Sequence, residues 1–525
     1  MFMKALTLMP LLMAGTAMAQ APAETRQAVQ HCADMKGASF GADVQITNTA
    51  FVPAGIPAAP VSNSEPPLKT ALPAYCRIDG MINERVGAGG AKYGIGFSLA
   101  LPQSWNGRFL LMGGGGLNGS IRPPFGTAAA GATPALARGF AVLSHDSGHK
   151  GAVFDNSFMK DQRATLDFSE SSVKTVTLLG KAISERFYDK PISKSYMAGC
   201  STGGREGMLA SQRYPELFDG IVVGAPAMRT GNSNLGTAYA TVMFNQVAPK
   251  NEAGMPQLDK LFTTADRALI RKGLLDQCDG LDGLKDGMIE NVGQCKFQPA
   301  KLMCSGEKAA DCLSKDQTDA MERAFAGPRD KAGYALYAPV PYDTGIVATD
   351  GGIPGYLPTG VPGPLGKPTQ DSSIDLDARI NAIRNDAGQR LTDTSYWTNL
   401  NTFLDRGGKI LFYHGVSDPW FSAWDTWDYW LRAAETNGER WDDASRFYMV
   451  PGMGHCRGGD AFDQFDMLDA VVKWVEEDKK PQAIIASKDD PVAATRPLCP
   501  FPSYARYKGG DETKAESFVC AEPQE

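Results

Sequence analysis

Two kinds of apolar pattern alternate through the middle of this chain. Short unbroken apolar runs, of the kind buried on both faces of a sheet, occur at Arg108–Met112, Phe140–Ser144, Ser195–Ala198 and Gly220–Val223. Between the second and third, Val173, Val176, Leu179 and Ile183 recur at helical spacing and predict a helix from about Ser169 to Phe187. A further helix is expected after residue 202, running to about Tyr214. Strands alternating with helices imply an α/β fold whose sheet is mostly parallel and covered on both faces. The rhythm stops near Pro226. It resumes with strands at Gly408–His414 and Arg446–Val450 and an amphipathic helix at about Asp463–Glu477, with Phe465, Leu468, Val472 and Val475 on one face. The intervening residues 227–401 are rich in Gly, Pro and Asp, Pro354–Pro368 included, and read as a lid inserted over the carboxyl edge of the sheet. The chain thus divides into a catalytic domain in two parts, 20–226 and 402–525, around a lid.

The first 19 residues change the picture of where the protein works. Lys4, an apolar run from Ala5 to Met13, and Ala17-Met18-Ala19 fit a secretory signal peptide, too short to span a membrane. Export to a periplasm or the medium is expected, and no later segment reads as a transmembrane helix. A net charge of −7 without a basic cluster argues against nucleic-acid binding. Ten cysteines in an exported chain imply five disulfides. Their spacing suggests Cys32 with Cys76, Cys278 with Cys295, Cys304 with Cys312, and Cys499 with Cys520, leaving Cys200 and Cys456. Spacing alone does not fix that connectivity.

Candidate chemistry centres on Gly199-Cys200-Ser201-Thr202-Gly203, a Gly-x-Ser-x-Gly string between a predicted strand and a predicted helix. Such strings form a sharp elbow that exposes the serine hydroxyl. A serine needs a base within hydrogen-bond reach, and the chain has five histidines. His455, in a loop just past the last predicted strand, is the candidate base. Asp418, just past the strand Gly408–His414, is the candidate orienting acid, in the chain order Ser, acid, His. Asp425 and Asp428 fall in an apparent helix and fit less well. His145, His149 and His414 read as structural. If the imidazole lies within ~3 Å of the hydroxyl, Cys200 and Cys456 are drawn toward the Cα separation of roughly 4.4–6.8 Å that a disulfide needs. The developing oxyanion needs backbone donors. Thr202 N–H is one, and the glycine run 113–116 offers the other, with Gly116 preferred and Gly115 next.

A second cluster lies within the lid. Asp279, Asp282 and Asp286, interleaved with glycines, suit a hard cation that wants 6–8 oxygen ligands. A structural Ca²⁺ held by those carboxylates and by the carbonyls of Leu284 and Met288 is expected. The spacing differs from an EF-hand, and Glu290 is not read as a bidentate ligand.

With these residues in view, the chain resembles the tannase/feruloyl esterase family of α/β-hydrolases. The likeness runs through Gly199 to Gly207, the aspartate loop 279–289, Asp418, Gly454-His455-Cys456, Arg496 to Pro500 and Tyr504 to Gly509. It implies an α/β-hydrolase fold, a triad of Ser201, Asp418 and His455, a Cys200–Cys456 bridge and calcium on the residues just named. It also implies small aromatic ester substrates, feruloyl or other phenolic esters first, terephthalate monoesters or gallate esters second. No obligate protein partner is implied. Tyr356, Tyr396, Trp397 and Phe403 are aromatic candidates for stacking on the acyl group, with ordinary lid core as the alternative. The rival readings are a non-catalytic, calcium-stabilised binding protein and a peptidase.

Overall fold

The computed structural model describes residues 23–58, 67–349, 355–359 and 368–524. The expected signal peptide and most of Pro354–Pro368 lie outside the described residues. Nine strands form one sheet: β1 (Val44–Val52), β2 (Tyr75–Val86), β3 (Lys92–Pro102), β4 (Arg108–Met112), β5 (Ala141–His145), β6 (Lys194–Cys200), β7 (Gly220–Gly224), β8 (Lys409–Gly415) and β9 (Ser445–Val450). Their order is β1-β2-β3-β5-β4-β6-β7-β8-β9. β5 through β9 are parallel, while β1, β2 and β3 form an antiparallel meander that joins β5.

The apolar runs are buried on both faces because alternate side chains feed two cores. Phe109 and Leu111 join Val176, Ile183, Leu209, Ile221 and Phe412 on one face. Leu110 and Met112 join Val142, Val222, Leu411, Leu468 and Val471 on the other. Helices Ser172–Tyr188, Thr202–Arg213 and Ala423–Asn437 cover the first face, and Met467–Glu477 covers the second.

Three differences from the sequence expectation have simple causes. The meander β1–β3 was not foreseen, because its strands mix polar, glycine and apolar positions and β1 is only half-buried. The helix expected from Ser169 begins at Ser172, after a π-helical turn over Asp167–Ser171. The last helix begins at Met467, where the Asp466 side chain accepts from Asp469 N, and its buried stripe is Leu468, Val471, Val472 and Trp474, with Val475 at the margin.

Between β7 and β8 the chain leaves the sheet. Helices Thr230–Val247, Thr264–Cys278 and Lys315–Ala326 enclose an apolar cluster of their own around Phe244, Phe262, Ile270, Leu274, Met321 and Phe325. Reciprocal capping boxes, Thr263 with Asp266 and Ser314 with Gln317, start two of these helices. Two disulfides, Cys278–Cys295 and Cys304–Cys312, close loops here. Cys32–Cys76 ties the N-terminal helix to β2, and Cys499–Cys520 ties together the C-terminal hairpins β10–β11 (Ile484–Lys488, Ala494–Leu498) and β12–β13 (Tyr504–Tyr507, Phe518–Ala521). Among the described residues no helix is long and apolar enough to cross a membrane.

After β4 the chain passes to β5 on one side and then to β6 on the other. Such a switch point leaves a crevice outside the carboxyl ends of β4 and β6. The glycine run and the Gly-x-Ser-x-Gly elbow both emerge there.

Candidate active site

The elbow is built from strained and minimal backbone. Ser201 has φ 64° and ψ −121°, a conformation that L-residues with a side chain rarely hold. It is fixed by Ser201 N–H donating to Gly224 O on β7 (3.0 Å) and by its own carbonyl accepting from Arg205 N (3.0 Å) and Ala227 N (3.0 Å). The flanking glycines are forced by contact: a Cβ on Gly203 would stand 2.8 Å from Gly114 O, and one on Gly199 2.6 Å from the Gly203 carbonyl carbon.

His455 lies five residues past the end of β9 and stands beside the elbow because Cys200 and Cys456, their neighbours in sequence, are joined with Cα atoms 5.9 Å apart. His455 Nδ1 lies 2.6 Å from Asp418 Oδ2. An ionised carboxylate only accepts, so Nδ1 carries the proton and Nε2 presents its lone pair. Nε2 is buried and makes no hydrogen bond within the protein, Ser201 Oγ included. Trp420 and Phe421 pack on the imidazole, with ring centroids 4.8 and 5.2 Å away, and Phe154 meets Trp420 edge-on.

Asp418 is fully buried. Its Oδ1 accepts from Trp420 N (2.9 Å) and Phe421 N (3.1 Å), and its Oδ2 faces both His455 and His414 Nε2 (3.3 Å). Burial pushes its pKa upward, but His455 and His414 outweigh burial and hold the carboxyl well below the usual carboxylate range. His414 is satisfied in the core by Thr426 Oγ1 (2.9 Å) and the Phe421 carbonyl (3.0 Å). Its place beside the acid was not legible in the sequence. Asp425, the weaker acid candidate, is taken by an ion pair with Arg229.

The glycine run is bound to the helix Thr202–Arg213 at several points. Gly203 N–H donates to Gly114 O (3.0 Å), Gly114 N–H donates to Glu206 Oε2 (2.8 Å), and the Thr202 hydroxyl donates to Gly116 O. Gly115 O accepts from Asn118 N (3.0 Å). In a trans peptide the N–H points opposite to its own C=O. The Gly115 amide therefore points away from the helix Thr202–Arg213, because Gly114 O points toward it. The Gly116 amide points away from the turn that Asn118 closes. Thr202 opens its helix, where the first-turn amides lack intrahelical acceptors.

Beneath this loop Glu206 is fully buried and also accepts from Ser147 Oγ (3.3 Å), with His145 Nε2 3.8 Å away. Sequence reasoning did not single Glu206 out, since a glutamate on a helix is ordinarily a surface residue. His149 is buried and stacks on Phe158 with centroids 3.7 Å apart.

The aromatic candidates lie elsewhere. Tyr356 is partly buried and packs against the core of the insertion, and Phe403 lies in a core beside the sheet. Tyr396 and Trp397 are 82 and 55 % exposed at the surface.

The acidic loop abuts the histidine loop: a Cβ on Gly452 would stand 3.4 Å from Met288 Cε. Asp279 and Asp282 are buried. Burial, with repulsion from Asp286, raises both carboxyls against their backbone hydrogen bonds; Asp279 adds to the repulsion at Asp282, which rises to about 7. Asp279 accepts from Asp286 N and Gly287 N, Asp282 from Leu284 N, and Asp286 from Met288 N and from the buried Arg496. Among the described residues no three acidic, His or Cys side chains converge enough to hold a metal by side chains alone. The donor chemistry, carboxylates with adjoining carbonyls, is that of a hard cation.

The comparisons with known proteins agree with this geometry. The family described as "Tannase and feruloyl esterase" matches residues 76–521. The chain belongs to the tannase and feruloyl esterase family. The mono(2-hydroxyethyl) terephthalate hydrolase of Piscinibacter sakaiensis is 38 % identical over 86 % of each chain. A probable feruloyl esterase of Arthroderma benhamiae is 30 % identical over 81 % of each. Among solved structures, feruloyl esterase B from Aspergillus oryzae superposes with a TM-score of 0.76 and 25 % identity, covering 94 % of this chain and all of that one. The fold is therefore that of the α/β-hydrolases, and this member of the tannase and feruloyl esterase family is a carboxylic ester hydrolase.

Burial lowers the His149 pKa from 6.5 to about 4. Between those values the unfolded chain binds a proton that the folded protein does not, so this contribution to stability is lost as pH falls through that window. Replacing His149 by Phe, which preserves the stack on Phe158, should flatten the fall of melting temperature between pH 6.5 and 4. Thermal melts of both proteins across that range check this.

Proposed function

We propose that Ser201 is the nucleophile, His455 its general base and Asp418 the orienting acid of an exported hydrolase for esters of aromatic carboxylic acids. The observation that carries the reading is the buried 2.6 Å His455–Asp418 pair, delivered to the strained serine elbow by the Cys200–Cys456 bridge. Catalytic hydrogen bonds commonly tighten only when substrate binds, which suits an Nε2 that makes no bond in the free protein. As Ser201 Oγ attacks the ester carbonyl, its proton passes to His455 Nε2, and Asp418 stabilises the imidazolium. The oxyanion is met by the amides of Thr202 and Gly116. His455 then protonates the departing alkoxide. A water activated by the same nitrogen cleaves the acyl-enzyme and releases the acid.

Feruloyl and related phenolic esters are the substrates this reading favours, supported by the feruloyl esterases among the relatives and solved structures. The second reading, a terephthalate monoester, has one observation in its favour: 38 % identity to the terephthalate-monoester hydrolase against 30 % to the feruloyl esterase. Trp420 and Phe154 form the aromatic wall beside His455 on which either acyl ring would lie. Export is supported by the N-terminal leader and by five disulfides. The insertion acts as the lid.

The acidic loop is read as a structural calcium site, with carboxylates from Asp279, Asp282 and Asp286 and carbonyls from Leu284 and Met288. When bound, the cation would neutralise crowded carboxylates next to the histidine loop.

Ser201→Ala should abolish stoichiometric labelling by a fluorophosphonate and lower kcat by about 10⁶-fold, with the melting temperature nearly unchanged. Rates on methyl ferulate, methyl gallate and mono(2-hydroxyethyl) terephthalate, measured side by side, separate the substrate readings; activity on none of the three would sink the aromatic-ester proposal. EGTA should lower the melting temperature and added calcium restore it, an effect of about 2.7 kcal/mol at a free concentration a hundred times Kd. A melting curve indifferent to EGTA would remove the metal.

A further inference from the structure

One segment of the insertion holds the loop that carries Asp418. Residues 337–345 of the insertion meet that loop on both sides of the acid. On the far side, Ser422 N–H donates to Tyr337 Oη (3.0 Å) and the Ser422 hydroxyl donates to the Pro339 carbonyl (2.5 Å). On the near side, the Ser417 hydroxyl donates to Asp343 Oδ2 (2.7 Å) and accepts from Gly345 N (2.9 Å). The same Asp343 oxygen accepts from Gly452 N–H (2.7 Å), three residues before His455. One carboxylate oxygen therefore binds the acid loop and the histidine loop at once.

Asp343 is wholly buried, and its second oxygen makes no hydrogen bond within the protein. A buried carboxylate is costly to retain where an apolar side chain would pack. Here it meets two buried donors, a hydroxyl and an amide, that would otherwise be left unpaired. Those donors belong to the two loops whose relative position sets the His455–Asp418 pair. The loops touch directly as well: Ser417 N–H donates to Met453 O (2.9 Å), and a Cβ on Gly415 would stand 2.2 Å from Gly454 O. With backbones this close, a small rotation of either loop moves the imidazole relative to the carboxylate.

We infer that Asp343, a residue of the inserted domain, is a positioning residue for the reaction. It joins the acid loop at Ser417 to the histidine loop at Gly452 and so sets the imidazole's place relative to Ser201. Asp343 touches neither substrate nor the reacting atoms; it acts through its two partners. The insertion is thereby part of what shapes the catalytic constellation.

The inference rests on the serine-hydrolase reading above. The test measures kcat per active site, with sites counted by fluorophosphonate titration, so that loss of folded protein does not register as loss of rate. Asp343→Ala should lower kcat per titrated site by about 10²-fold, the scale of a roughly 1 Å misplacement, with KM changed far less. Asp343→Asn keeps an accepting oxygen for both donors and should recover most of that rate. Ser417→Ala removes only one arm of the bridge and should give a smaller loss in the same direction. If the alanine variant at 343 does not fold, Ser417→Ala decides. A kcat per titrated site within about twofold of wild type in the deciding variant overturns the inference. Failure of the serine-hydrolase reading is distinguishable, because the wild-type protein itself would then show no stoichiometric titration.

Discussion

A charge can stay ionised inside a protein only if donors replace the water it has lost, and at Asp418 that requirement organises the catalytic crevice. Its two oxygens take two backbone amides from its own loop and face two imidazoles. The amides fix the loop's curvature, and His414, anchored on Thr426 and the Phe421 carbonyl, closes one side. What remains is one direction, and His455 occupies it. The carboxylate thus both chooses the imidazole tautomer and excludes other orientations of the ring.

Around that charge, most of the remaining precision comes from backbone packed against backbone. Glycines at 113, 199 and 203 allow β4 and β6 to deliver their loops to the same point without side chains between them. The price is strain at Ser201, held by hydrogen bonds to β7 and to Ala227. Glu206 and Thr202 then attach the glycine run to the helix Thr202–Arg213, so the run and the Ser201 elbow form one packed unit. The Cys200–Cys456 bridge adds the histidine loop to that unit. In the chain-entropy view, closing so long a loop removes roughly 4–5 kcal/mol of unfolded-state freedom. The linkage therefore serves stability and site geometry together.

The acidic loop and the C-terminal hairpins belong to the same assembly. Arg496 on β11 reaches Asp286 and lies 3.7 Å from Glu290, whose carboxyl burial raises to about 8 despite that neighbouring charge. Asp460, in the segment after His455, is bridged by Arg271 of the insertion and Lys488 of β10. The histidine loop is thus held by contacts from the insertion and from the C-terminal hairpin, which fixes His455 within a long, irregular loop.

The sequence by itself determined the parallel strands and the helices between them, and it placed the candidate serine, acid and histidine in order along the chain. These are legible because period, turn chemistry and the Gly-x-Ser-x-Gly string are local properties. It also suggested the same five cysteine pairs that the structure joins, four of them close in sequence. The antiparallel meander was not legible, since its strands mix polar, glycine and apolar positions and β1 is only half-buried. Nor were His414 beside Asp418, Glu206 under the glycine run, or Asp343 between the two loops. Each is a polar side chain whose role depends on partners up to about a hundred residues away, and nothing in its neighbours marks it. Nor does the sequence distinguish the amides of Gly115 and Gly116, because tertiary hydrogen bonds orient those peptide planes. Local pattern sets which elements form, whereas burial of polar groups, which must find partners wherever the fold places them, decides what surrounds the site.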